Sequence, residues 1–203
     1  MPVVNLDTRT AFAIRAATHQ DIPALTDLIT RSARGLSVGH YQPAQVEAAL
    51  TGAFGVDTQL IVDGSYFAVH PAGATDHIVA AGGWSFRRKL FGSDQRSAAA
   101  DEPGTDVATE NKGVLDPATD PAKIRAFFVD PNYARQGLGR RLIAHCEHEA
   151  SARGFSRFTL MSTLPGLALY RACGYIAEAP VDIALDANTV ISFVPMHKTV
   201  AMP

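Results

Sequence analysis

A chain of 203 residues with 47% hydrophobic content can bury one substantial core, and needs neither disulfides nor a structural metal to fold. Its net charge of −2 and pI near 6.4 leave no electrostatic footprint for nucleic acid or an anionic membrane surface, which favours small-molecule or protein partners. Met1-Pro2-Val3 starts no basic and apolar leader and no run is long enough to span a bilayer, so a cytoplasmic location is expected.

Phe12 to Arg15 reads as an edge strand. Thr18 and Asp21 have the spacing of a capping box, opening a helix whose apolar face is Ile22, Leu25, Ile29 and Ala33. Pro43 suits the first turn of a second helix with Val46, Leu50, Ala53 and Phe54 on its stripe and Gly55 to close it. Tyr66 to His70 and Ile78 to Phe86 read as strands, with turn signals at Asp63-Gly64 and around Gly73 and Asp76. From Arg87 to Ala122 periodicity disappears and Ser, Ala, Asp, Gly, Thr and Pro dominate, basic at the start and acidic in the middle. This is expected to be a solvated, mobile flap or a lid inserted into one domain that spans residues 1–203. A strand from Ile124 to Val129, a helix from Gly137 to Arg153, a strand from Arg157 to Ser162 and a helix from Pro165 to Cys173 follow. Two closing strands, about Tyr175 to Leu185 and Val190 to His197, complete the map.

Two cysteines, Cys146 and Cys173, fall within predicted helices and read as free thiols, Cys146 on a buried stripe. His145, Cys146 and His148 are too close together on a helix to converge on one ion, so no metal is expected.

The most informative stretch runs from Ile124 through a glycine-containing turn into the helix at Gly137. The first amides of a helix lack intrahelical acceptors and carry the positive end of its dipole, so this turn can hold a pyrophosphate. Gly137 and Gly139 would let phosphate oxygens come close to the backbone. A Rossmann fingerprint is excluded because Leu142 stands where a third small residue belongs, and a P-loop because Gly-Lys-Ser/Thr is absent.

With Val129-Asp130-Pro131 ahead of Gly137-Leu138-Gly139, the stretch resembles motif A of the GNAT superfamily of acyl-coenzyme A-dependent N-acyltransferases. Ala134 departs from that motif's first position, with Arg135 keeping a basic side chain in the turn. Phe158 to Tyr175 resembles the family's motif B, with Tyr170, Gly174 and Tyr175 in register and Thr163 where asparagine is often found. Ala11 to Thr18 followed by Asp21-Ile22 is similar to the usual opening, so the likeness covers roughly residues 12 to 199.

This resemblance implies an α/β fold of the α+β kind: a mixed, mostly antiparallel central sheet with a splayed fourth and fifth strand pair, flanked by helices. It implies acetyl-coenzyme A as co-substrate, held by Phe127, Phe128 and Val129 along the strand and by Arg135, Gln136, Gly137, Leu138, Gly139 and Arg140 in the turn. The amide near Phe127 would polarise the acetyl carbonyl. Tyr170 would be the catalytic acid that protonates the departing thiolate, and a phenol with a pKa near 10 is protonated for that task.

The family's strand glutamate is replaced by Lys123. Arg125 and Phe127 alternate onto the same face, so that face of the strand carries no acid. Glu178, Asp182, Glu47 and His40 are the remaining candidates for a base, and orientation alone could serve an α-amine. The expected activity is therefore transfer of acetyl from acetyl-coenzyme A to a primary amine. The acceptor is expected to be small, its carboxylate held by Lys123, Arg125 and Arg135. A non-catalytic acyl-coenzyme A binding or regulatory module is the rival reading, and a homodimer stays open as the assembly.

Overall fold

The computed structural model describes residues 11–88 and 113–201. Among these, eight strands form one sheet in the order β1-β2-β3-β4-β5-β8-β6, with β7 also paired to β8. The strands are β1 Phe12–Ala16, β2 Tyr66–Pro71, β3 Ala80–Ser85, β4 Ala122–Val129, β5 Arg157–Thr163, β6 Ile176–Ala177, β7 Val181–Ala184 and β8 Val190–Thr199. The pairs are antiparallel except β4 with β5, which is parallel. The fold is thus a mixed α/β arrangement of the kind the sequence resemblance implies.

Helix α1, Ile22–Leu36, starts from a tight turn in which the Thr18 amide donates to Asp21 Oδ2 at 2.8 Å. Its buried side is Leu25, Leu28, Ile29, Ser32 and Ala33, with Ile22 only half-buried at the rim. Helix α2, Pro43–Gly52, has its proline in the first turn as expected, but it stops before Phe54, whose amide bonds back to Ala49 O while its ring fills the core. A short helix α3, Thr58–Val62, was not anticipated: Asp57 caps it by accepting from the Leu60 amide, and Leu60 and Ile61 are buried beneath the sheet. Five residues are too few for a readable 3.6-residue period, so the cap was its one local signal.

Helices α4, Leu138–Ala152, and α5, Leu167–Ala172, lie on the other face. Trp84, Leu138, Leu142, Ile143, Phe155 and Phe158 make the core there, while Leu25, Leu28, Leu60 and Tyr66 make it under α1 and α3. Both cysteines are free, Cys146 buried and Cys173 half-buried.

The two ends of the segment expected as an insertion return to each other. Arg87 bridges Val114, the Leu115 amide donates to Phe86 O at 2.8 Å, and Leu115 is buried in the core. The stretch from Gly113 onward is therefore built into the fold, and the mobility expected of the insertion's middle concerns residues 89–112, outside the described residues. No helix among the described residues is long and apolar enough to cross a membrane, and no group of three ligating side chains among them could hold a metal.

Candidate active site

The turn between β4 and α4 has the properties of an anion cradle. Arg135 and Gly137 both have positive φ, 65° and 82°, and Gly137 is the left-handed N-cap of α4. The first intrahelical bond runs from the Arg141 amide to Gly137 O, so the amides of Leu138, Gly139 and Arg140 come before it and need another acceptor. A Cβ on Gly137 would meet nothing within 4 Å, which leaves the approach open.

Gly139 is different. A Cβ there would lie 2.8 Å from a methyl of Leu169, so this glycine serves the packing of α4 on α5. Leu138 is buried in the core and can offer a ligand only its main chain, whereas Arg135, Gln136 and Arg140 are exposed. The Arg140 guanidinium donates to Ala172 O at 3.3 Å and ties the start of α4 to the end of α5.

Behind the turn the sheet opens into a wedge. Strands β4 and β5 pair at Ala122–Phe158 and Lys123–Thr159 and then part, so the later residues of both strands are unpaired with each other. The cause is a bulge: Ala81 opposes Phe128 and Gly83 opposes Arg125, leaving Ala126 and Phe127 to share one partner position, with Ala126 at φ 58°. The bulge also breaks the alternation. Ile124, Phe127 and Val129 join the core under α4, whereas Ala126 and Phe128 join the core on the opposite face, where Arg125 meets Asp57. Lys123, Arg125 and Phe127 therefore do not share a face, contrary to the expectation from strict alternation.

The three strand residues expected to face coenzyme A are placed differently. Asp130 donates to Val79 O and Phe128 opposes Ala81, so the amides of Phe127 and Val129 point away from β3. The Val129 amide donates to Ser32 Oγ of α1 at 3.1 Å. Phe127 thus offers the strand amide best placed to polarise a carbonyl in the wedge.

Tyr170 of α5 is buried against the same region, its ring 6.4 Å from Phe127 and 5.9 Å from Tyr175. Burial first, then the nearby Cys146 and Cys173, push its phenol above the usual value, which keeps the proton on it at neutral pH. The expected bases do not gather around it. Glu47 is bound by Arg34 at 2.8 Å, Glu178 by His197 at 3.0 Å and Asp182 by the Ser192 hydroxyl at 2.5 Å, while His40 lies exposed in the loop before α2.

The residues matching the family model for the acetyltransferase (GNAT) family are 56–175, well over half of the chain, and they span the bulge, the turn and Tyr170. The chain belongs to that family. No curated protein matches it significantly in sequence. A GCN5-related N-acetyltransferase from Rhodopseudomonas palustris superposes with a TM-score of 0.64 at 17% identity, covering 93% of this chain and 95% of that one. The PaiA N-acetyltransferase of Thermoplasma acidophilum, in complex with coenzyme A, gives 0.59 at 13% identity over 94% and 99%. The polyamine N-acetyltransferase of Drosophila melanogaster, an enzyme that forms N-acetylagmatine, gives 0.56 at 17% identity over 94% and 100%.

As a GNAT acyltransferase the chain has one acid that the sequence reading missed. Asp57, at the start of α3, reaches Arg125 on β4 at 2.5 Å, with side chains 4% and 14% exposed. The face of β4 whose own residues carry no acid receives one from a distant segment, and its sequence signal is the cap pattern Asp57-Thr58-Gln59-Leu60 before an apolar run. Lys123, at the position of the family's glutamate, donates to Arg88 O at 2.5 Å. Its amine is pushed down to about 8 by burial, then by Arg125 and Arg88. Of the three cations expected to hold an acceptor carboxylate, Arg125 is thus matched by Asp57 and Lys123 is held by a main-chain carbonyl. A separate open groove of about 660 Å³ lies on the α1 side of the turn and holds two polar pairs, Arg31 with Asp130 at 3.0 Å and His77 with Tyr133 at 3.2 Å.

Proposed function

We propose that this protein transfers the acetyl group of acetyl-coenzyme A directly to a primary amine of a small acceptor. The observation that carries the reading is the parting of β4 and β5, with a helix N-terminus after β4 and the buried, protonated Tyr170 packed against Phe127 of β4. The residues fit the donor: the open space over Gly137 and the amides of Leu138, Gly139 and Arg140 suit a pyrophosphate, with Arg135, Gln136 and the Arg140 side chain around it. Phe127, Phe128 and Val129 form the wall along which a pantetheine arm can lie. Phe127 supplies its amide there, while Phe128 and Val129 contribute mainly shape, because β3 and Ser32 already engage their main chains.

In this reading the donor brings an acetyl thioester, and the protein does the rest. The Phe127 amide donates to the thioester oxygen as negative charge develops on it. The amine attacks the carbonyl, the C–S bond breaks, Tyr170 gives its proton to the departing thiolate, and the proton lost by the amine nitrogen passes to water, from which the phenol is restored. The chain positions the amine, and orientation supplies much of the acceleration, Lys123 standing where a carboxylate base would be.

A small acceptor is favoured by the α2 side of the site, where Tyr41 and Gln45 bind β8 carbonyls at 2.7 and 2.6 Å and hold the loop before α2 against the sheet. Release of coenzyme A thiol, measured against a panel of amino acids, polyamines, simple alkylamines and basic peptides, tests the proposal. Turnover with a small amine is the expected result. Binding of acetyl-coenzyme A with no turnover across the panel would instead favour the non-catalytic module.

A further inference from the structure

Tyr41 lies in the loop between α1 and α2, far in sequence from the motifs that define the site. Its ring is buried, and its hydroxyl makes two bonds in different directions: it donates to Ser192 O at 2.7 Å and accepts from the Leu164 amide at 2.8 Å. One partner is a helix-start donor, and the other lies within β8. Leu164 opens the one-turn helix Leu164–Gly166, whose N-cap Thr163 makes no side-chain bond, so its amide is a helix-start donor with no local acceptor. Ser192 lies one residue before Phe193, the last β8 residue paired with β5, and is itself paired with Asp182 of β7.

The turn that Tyr41 caps runs straight into α5. That helix has six residues, its N-cap Gly166 supplies no side-chain bond, and it carries Tyr170. A helix this short has little stability of its own, so what holds its start sets its direction. The coupling to the phenol is close: a Cβ on Gly166, the last residue of the turn, would lie 3.1 Å from Tyr170 Cε2. A change in the pitch of the turn therefore moves the phenol.

We infer that Tyr41 is a positioning residue for Tyr170, capping the Leu164 amide from across the fold and fixing the short helix that aims the acid into the wedge. The inference rests on the proposed role of Tyr170 as acid. Its test is a double-mutant cycle of Tyr41→Phe and Tyr170→Phe, with kcat measured at saturating acetyl-coenzyme A and an amine from the panel, and coenzyme A affinity measured by calorimetry on each variant. Tyr41→Phe removes both hydrogen bonds and keeps the ring.

The expected result is a fall in kcat of about ten- to a hundredfold in Tyr41→Phe, in line with the cost of misplacing a reacting group, and coenzyme A affinity within about twofold of wild type. The double variant should be no slower than Tyr170→Phe alone, because a positioner has nothing left to position. Additive losses, or a wild-type kcat in Tyr41→Phe, would overturn the inference while leaving the acid role of Tyr170 standing. A wild-type kcat in Tyr170→Phe would remove the acid role itself. Leu164→Pro supplies a second variant that deletes the amide donor, read against Leu164→Ala as the control for the partly buried leucine side chain that is lost with it, at a helix-start position that suits proline and after a Thr163 already extended at φ −67° and ψ 158°. The same non-additivity is expected there. Loss of coenzyme A binding in both variants would assign the Tyr41 bond to folding and overturn the inference.

Discussion

Phe127 of β4 and Tyr170 of α5 meet edge to face, with ring centroids 6.4 Å apart and planes at 67°. The bulge at Ala126 makes this contact possible by turning Phe127 toward the face that α5 covers. The strand amide and the phenol that would act on opposite ends of a breaking thioester are thus held together by packing. Tyr170→Phe keeps the ring contact and removes the proton, so turnover should fall by ~10²–10⁴-fold with little change in acetyl-coenzyme A affinity. Steady-state kinetics and calorimetry on the variant check both halves.

The two glycines of the turn should separate in their effects. Gly137→Glu places bulk and negative charge in open space over the helix start, so coenzyme A binding should be lost while the fold bears only the left-handed strain of about 1–2 kcal/mol. Gly139→Ala pushes on Leu169 and should cost about 1–3 kcal/mol of stability through overpacking, with binding weakened as a consequence. Thermal unfolding and coenzyme A calorimetry on the two variants, side by side, give the comparison.

Asp57 and Arg125 should behave as a buried pair. Asp57→Asn leaves the guanidinium without its counter-charge and is expected to destabilise the fold by about 3–5 kcal/mol. Adding Arg125→Met should recover part of that loss, since no unpaired charge then remains. Urea midpoints of the single and double variants are the measurement, and a double variant less stable than the single would contradict the pairing.

Asp21 sets an acid limit. Its carboxyl is pulled down to about 2, chiefly by the hydrogen bonds from Arg15, with further help from the Thr18 amide and hydroxyl, against an ordinary value of 3.8. A depressed carboxyl stabilises the fold fully above the unfolded value and loses that contribution as protons bind, so stability should fall between about pH 4 and pH 2. Asp21→Asn should flatten the pH dependence in that window and be less stable than wild type at pH 6, as read from melting temperature against pH.

What the sequence determined by itself was local or tightly patterned. The helix opening after Gly137, the first and second helices, the β4 and β5 strands and the position of Tyr170 all follow from periodicity, caps and motifs within some twenty residues. What tertiary structure decided depends on contacts that no short window contains. The bulge at Ala126 arises from register against β3, because a strand's faces are set by its neighbour as well as by its own alternation. The use of Gly139 depends on Leu169, thirty residues on and in another helix. Arg125 finds its counter-charge on a helix too short to have a period of its own, and the amide that starts the helix turn before α5 is capped by a tyrosine 123 residues earlier. Buried polar groups must be satisfied wherever a partner can reach them, so the partner's place in the sequence is free to be remote.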